Sequence, residues 1–184
     1  MADTTTTDGA LWAATLGRAR SELANLPAPE RNWLAGQIAR IGRLQEEFDR
    51  LFVAIGGPEL CTNCLGGCCH GAKHHATLTN LLGYLLSGEE PPWPDFTQSC
   101  PFLGRGGCRL PAARRPFNCI IFLCDALDER LTGEQRQLFV RTEGQLRAAY
   151  QEVAARCPGA SLHGLLLAAA RVGDRPLLPC SVRR

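Results

Sequence analysis

The sequence predicts a mainly α-helical fold: a small helical domain wrapped around an irregular, glycine-rich cysteine module. Three observations lead there. Apolar residues between Trp33 and Ile55 recur at steps of three and four, the spacing of one face of a helix. Thr132 followed by Gln135 has the form of a capping box and opens a second apolar stripe. Between these segments, eight of the ten cysteines fall within Cys61–Cys124, among glycines and without periodicity.

Taken in order, residues 1–10 are expected to be disordered, because Thr4 to Thr7 form a polar run with no periodic apolar partner. Leu11, Leu16, Leu23 and Leu26 then mark a helix that Pro27 and Pro29 close. The next helix carries Trp33, Leu34, Ile38, Ile41, Leu44, Phe48, Leu51, Phe52 and Ile55 on one face, with Gln45, Glu46 and Glu47 facing elsewhere. Gly56, Gly57 and Pro58 stop it and deliver the chain to the first cysteines. Within the cysteine region one short helix is expected, about Asn80 to Leu86, capped by Thr79 and ended by Gly88. Beyond Cys124, Leu138, Phe139, Leu146, Tyr150 and Val153 give an apolar face up to Cys157 and Pro158. A last, nearly all-apolar helix runs from Leu162 to Val172 with His163 as a structural residue, and the tail from Gly173 is extended. This describes a single helical domain over 11–184, with the metal-binding module at 58–127.

Composition narrows the function classes. The formal charge of +2 is the near-cancellation of 20 basic and 18 acidic groups, with Lys73 the lone lysine. No long basic block occurs, so nucleic acid is not an expected partner. No run approaches the roughly 18 apolar residues of a membrane span, so no membrane partner is expected either. Met1 to Asn25 lacks a basic start followed by an apolar stretch, which argues against secretion and for a cytoplasmic location. Thiols there stay reduced, and clustered cysteines then read as metal ligands rather than disulfides or inert buried thiols.

The first cysteine group is Cys61, Cys64, Cys68 and Cys69, followed by His70. Two cysteines separated by two residues can curl round one ion, because a tight turn aims both sulfurs inward. Gly66 and Gly67 are expected to take the positive φ values that a close wrap demands. Adjacent Cys68 and Cys69 point to opposite sides of an extended backbone. Either two sites share this loop, or one polynuclear cluster presents several metal corners.

The second group is Cys100, Cys108, Cys119 and Cys124, again with glycines crowding the loop after Cys100. On a helix Cys119 and Cys124 would stand about 140° apart, so one leaves the ligand shell or the segment is not helical. Eight sulfurs can fill two four-cysteine sites, or one four-iron cluster with four cysteines to spare. Arg105, Arg109, Arg114 and Arg115 are placed to offset thiolate charge by hydrogen bonding. His70, His74 and His75 are further possible ligands, and Cys180 is one if the tail folds back.

These motifs resemble the YkgJ-type cysteine-cluster family, described as zinc- or iron-chelating domains and often as iron–sulfur proteins. The matching residues are Cys61, Cys64, Cys68 and Cys69; Cys100, Pro101, Phe102 and Leu103; Gly107 and Cys108; and Arg115, Pro116 and Cys119. They cover about a third of the chain. The sequence departs from the pattern in having one extra residue between Cys64 and Cys68 and one more between Cys108 and Arg115. Pro111 stands where a tyrosine is usual, and Ile120 where an arginine follows the last motif cysteine. The resemblance tilts the metal towards iron.

The expected function is therefore a metal-binding protein that holds an iron–sulfur cluster, 4Fe-4S in type, or zinc. Its role would be redox or metal-dependent accessory work with a redox or protein partner. A structural zinc module for partner binding is the first alternative. The second is a metal-dependent protein-modifying enzyme, since some relatives of the family are linked to lysine N-methylation of flagellin; against it, no Gly-x-Gly-x-x-Gly element or nucleotide loop is present.

Overall fold

The chain begins with two consecutive long helices, α1 (Thr4–Ala24) and α2 (Ala28–Ala54), in a computed structural model that describes residues 4–64, 67–105 and 107–179. Prolines account for the break between them. Pro27 sits at the N-cap of α2 and Pro29 in its first turn, where a missing N–H costs nothing. α1 buries Trp12, Leu16, Ala19 and Leu23, and Leu26 just beyond its end. The disorder expected over residues 1–10 is corrected from Thr4 onward. Asp8 pairs with Lys73 at 3.4 Å, and Trp12 packs edge-on to Phe96 and against Phe102. That anchor lets the helix propagate back through the polar run. Residues 1–3 lie outside the described residues.

Gly56 ends α2 in the left-handed region, at φ +79°, where any other residue would be strained. Gly57 and Pro58 do more than stop a helix: they open α3 (Gly57–Asn63), whose first turn tolerates proline. A 3-10 turn over Gly67–Gly71 and then α4 (Leu78–Ser87) follow. The cap of α4 is Thr77 rather than Thr79. The Thr77 N–H donates to Asn80 Oδ1 at 2.9 Å and its hydroxyl accepts from the Asn80 N–H at 3.4 Å, a reciprocal box. Thr79 is buried in the first turn instead. Gly88 ends α4 as expected, at φ +73°.

Next come an antiparallel hairpin of two-residue strands, β1 (Leu103–Gly104) and β2 (Gly107–Cys108), and a 3-10 turn over Ala112–Arg114. Two single-turn helices, α5 (Phe117–Ile120) and α6 (Asp125–Asp128), complete the irregular middle. The long α7 (Gly133–Arg156) and short α8 (Leu165–Val172) close the fold. α7 packs along α2, α8 on α1, and α4 meets both of the first two helices.

The capping box that opens α7 is present: the Thr132 N–H donates to Gln135 Oε1 at 2.9 Å and Gln135 N–H to the Thr132 hydroxyl at 3.2 Å. Its apolar face begins later than expected. Leu146, Tyr150 and Val153 are buried, whereas Leu138 is 42% exposed. The first turns of α7 reach the interior through Phe139, which packs edge-on to Phe48 at 5.1 Å and against a satellite cluster of Leu51, Ile55 and Leu127. Leu162 and His163 likewise fall outside the last helix. Ser161 Oγ accepts from the His163 N–H at 3.0 Å and donates to its carbonyl at 3.1 Å, which turns the chain before α8 starts. His163 is exposed rather than a core residue of a helix.

The tail is tied back to the beginning. The N–H groups of Leu177 and Leu178 both donate to the Glu22 carboxylate at 2.8 Å, and both leucines are buried. No helix among the described residues is long and apolar enough to cross a membrane. Because Leu146 is fully buried and Leu138 is not, Leu146→Ala should cost about 2–5 kcal/mol of unfolding free energy. Leu138→Ala should stay within about 0.5 kcal/mol. Urea titration of both variants measures the contrast, and equal losses would contradict this packing.

Candidate metal centre

Three helices converge on one backbone carbonyl in front of Cys119. Gln45 of α2 and Asn80 of α4 each donate a side-chain N–H to the Arg115 carbonyl, Asn80 at 2.9 Å. Both amides also reach the hydroxyl of Tyr150 on α7, at 3.4 and 3.3 Å. Gln45 is fully buried, which corrects its expected placement away from the apolar face. The signal was available: Gln45 lies four residues after Ile41 and three before Phe48, on the buried stripe. Arg115 itself reaches Asp49 at 3.0 Å and the Leu110 carbonyl at 3.3 Å. Its backbone is extended at φ −69°, ψ 144°, as a residue before proline prefers. α5 then starts directly after Pro116 and carries Cys119.

One group of thiols gathers where α3, the Gly67–Gly71 turn and α6 meet. Cys61 lies in α3, Cys64 at its C-cap, Cys68 in the 3-10 turn and Cys124 at the N-cap of α6. The Cys64 thiol donates to the Cys61 carbonyl at 3.5 Å. Burial raises the pKa of Cys61, and the nearby sulfurs of Cys64, Cys68 and Cys124 raise it further. Cys64 and Cys68 are exposed; Cys61 and Cys124 are half-buried.

The other group is Cys69, Cys100, Cys108 and Cys119. Cys108 sits on β2, held opposite Leu103 in the hairpin register. Burial pushes Cys69 up to about 12, helped by Cys68, Cys100 and Cys108. It pushes Cys119 to about 12 as well, with Cys108, Cys100 and Cys69 adding to the effect and Arg115 opposing it. Cys100 is also raised by burial, against hydrogen bonds from the Phe102 and Leu103 backbone N–H groups. The stretch from Cys119 to Cys124 is broken between α5 and α6, so the angle expected on a continuous helix does not apply.

The arginines serve mainly as backbone braces. Arg109 donates to the carbonyls of Trp93 and Pro101, at 3.1 and 2.6 Å, and its charge also favours the Cys100 thiolate. Arg114 lies over the Tyr84 ring at 5.7 Å, and Arg105 is exposed. Among the histidines, His75 Nδ1 stands 3.3 Å from the Cys119 sulfur, while His70 is exposed and the buried Nδ1 of His74 has no hydrogen-bond partner. Gly67 opens the 3-10 turn and is not among the positive-φ glycines; Leu65, Gly66, Gly106 and Cys180 lie outside the described residues. Cys157, at the C-cap of α7, is buried in the helical core.

Nine cysteines among the described residues are free of disulfide bonds. No group of three or more His, Cys, Asp or Glu side chains among those residues forms a ready ligand set for a metal ion. The thiols stand as two neighbourhoods, not as closed shells. Their chemistry nevertheless suits a metal: all-sulfur donors, with backbone N–H groups and arginines at hand to stabilise thiolates. A cavity lined by Trp12, Asn80, Tyr84 and Phe102 among others has about 10 Å³, room for one water. No family model, curated protein or solved structure matches the chain.

If the Arg115 carbonyl is the anchor of the Cys119 arm, Asn80→Ala should lower stability by about 1–3 kcal/mol, since it removes one of that carbonyl's two donors and leaves the buried Thr77 N–H without its acceptor. Denaturant unfolding reads this directly. An unchanged midpoint would mean that Gln45 alone suffices.

Proposed function

We propose that this protein binds metal through its clustered cysteines, holding an iron–sulfur cluster or zinc in a redox or metal-dependent accessory role. One observation carries the reading. Eight unpaired thiols, drawn from segments far apart in sequence, neighbour one another beside a helical frame that braces them by buried hydrogen bonds. Thiols kept free of disulfides in such company are suited to deprotonate onto a cation, and the cation's charge offsets what their mutual repulsion opposes.

Sulfur-only ligation accepts either metal. Iron is favoured by the resemblance to the YkgJ-type cysteine-cluster family and by the N–H groups that donate to Cys100, since such bonds tune iron–sulfur centres. Arg109 and Arg115 supply positive charge beside Cys100 and Cys119. The exposed flank at Phe122, two residues before Cys124, is a surface on which a redox or protein partner would meet the cysteine region.

Anaerobic purification followed by counts of iron, zinc and acid-labile sulfide per chain tests this. A brown protein with sulfide matching iron supports the cluster; a colourless one with stoichiometric zinc supports the zinc form. Changing Cys61, Cys64, Cys100 or Cys108 singly to Ser should lower metal content, while Cys157→Ser should retain it. Wild-type protein without stoichiometric metal, or equal content in all five variants, would refute the reading.

A further inference from the structure

Direction and surroundings divide the eight thiols. Cys68 and Cys69 occupy successive positions of the Gly67–Gly71 turn, and on a 3-10 helix neighbouring side chains project about 120° apart. The environments differ to match: Cys68 is exposed, whereas Cys69 is half-buried against the main core. Behind the sulfurs lie two different apolar clusters. Cys100 belongs to the main core and Cys69 and Cys119 pack against it. Cys124 packs instead on the satellite of Leu51, Ile55 and Leu127, together with Leu60, the neighbour of Cys61.

Resting on the metal-binding reading above, we propose two separate four-thiolate centres, Cys61–Cys64–Cys68–Cys124 and Cys69–Cys100–Cys108–Cys119, joined at the Cys68–Cys69 peptide. Four thiolates complete a tetrahedral zinc shell or the four corners of a cubane cluster, so each centre takes one zinc ion or one iron–sulfur cluster. His75 then acts as a hydrogen-bond partner of Cys119, at 3.3 Å, and not as a ligand. Such a partner orients a ligand sulfur and tunes its metal.

The centres differ in access. The first has two exposed thiols, Cys64 and Cys68, and no member in the core; the second has the buried Cys100 and meets solvent through Cys108. Metal in the first centre exchanges with solution faster, because the apolar shell around a site controls entry of water and competing ligands.

The test uses the full chain purified anaerobically, with Cys64→Ala, Cys108→Ala and the double variant. Both positions are exposed, and alanine offers no replacement oxygen ligand. Iron, zinc and sulfide are counted per chain, with circular dichroism to verify that the helices persist. Each single variant should keep about half of the wild-type metal, since one complete four-thiolate shell remains, and the double variant should keep none. In the wild type a competing chelator should remove about half the metal in a fast phase that Cys64→Ala lacks. A metal-loaded wild type in which either single change empties the whole chain, or empties none of it, overturns the division alone. A wild type without bound iron or zinc overturns the metal reading and this inference with it.

Discussion

A single buried carbonyl, that of Arg115, holds the cysteine region to its helical frame. Away from water an unpaired peptide oxygen is costly, and here the donors come from two helices distant in sequence, Gln45 on α2 and Asn80 on α4. Tyr150 ties α7 into the same cluster and lays its ring edge-on to Phe117 at 5.5 Å. Any shift of the Arg115–Cys119 arm would break several of these bonds together.

Labour is divided between frame and module. The helices bury most of the leucines, isoleucines and aromatics, which drives their packing. Apart from α3 and α4, the segments between α2 and α7 are short turns, a minimal hairpin and single-turn helices, too small to fold unaided. They are held by particular bonds instead, such as Asp95 N–H to the Pro101 carbonyl at 3.0 Å and the two arginine braces from Arg109. Thiols on such segments can adjust position at little cost to the core, which is a useful property for residues that must close on something.

The long helices were readable because their apolar spacing is the direct imprint of burial: Leu34, Ile38, Ile41, Phe48 and Leu51 are all inside. Caps were read well where the competing residue was absent, as at Thr132, and misread where two threonines stood two apart, since only backbone geometry chooses Thr77 over Thr79. Gln45 was missed because polarity was taken to mean exposure, although its spacing placed it on the inner face. Leu138 was misjudged for the opposite reason: periodicity says which face a residue occupies, not whether a neighbour covers that face at that height. At the cysteines, spacing shows the clustering along the chain but not its arrangement in space: the break after α5 and the path of the 3-10 turn are encoded by no local pattern.

The double acceptance by Glu22 of the Leu177 and Leu178 N–H groups has a consequence for how the molecule is made. Translation emits roughly 5–20 residues each second, so Leu177 follows Cys61 by roughly 6–23 s. During that interval α1 lacks its closing segment and α2 lacks α7. The first helix to be made is thus among the last to complete its packing.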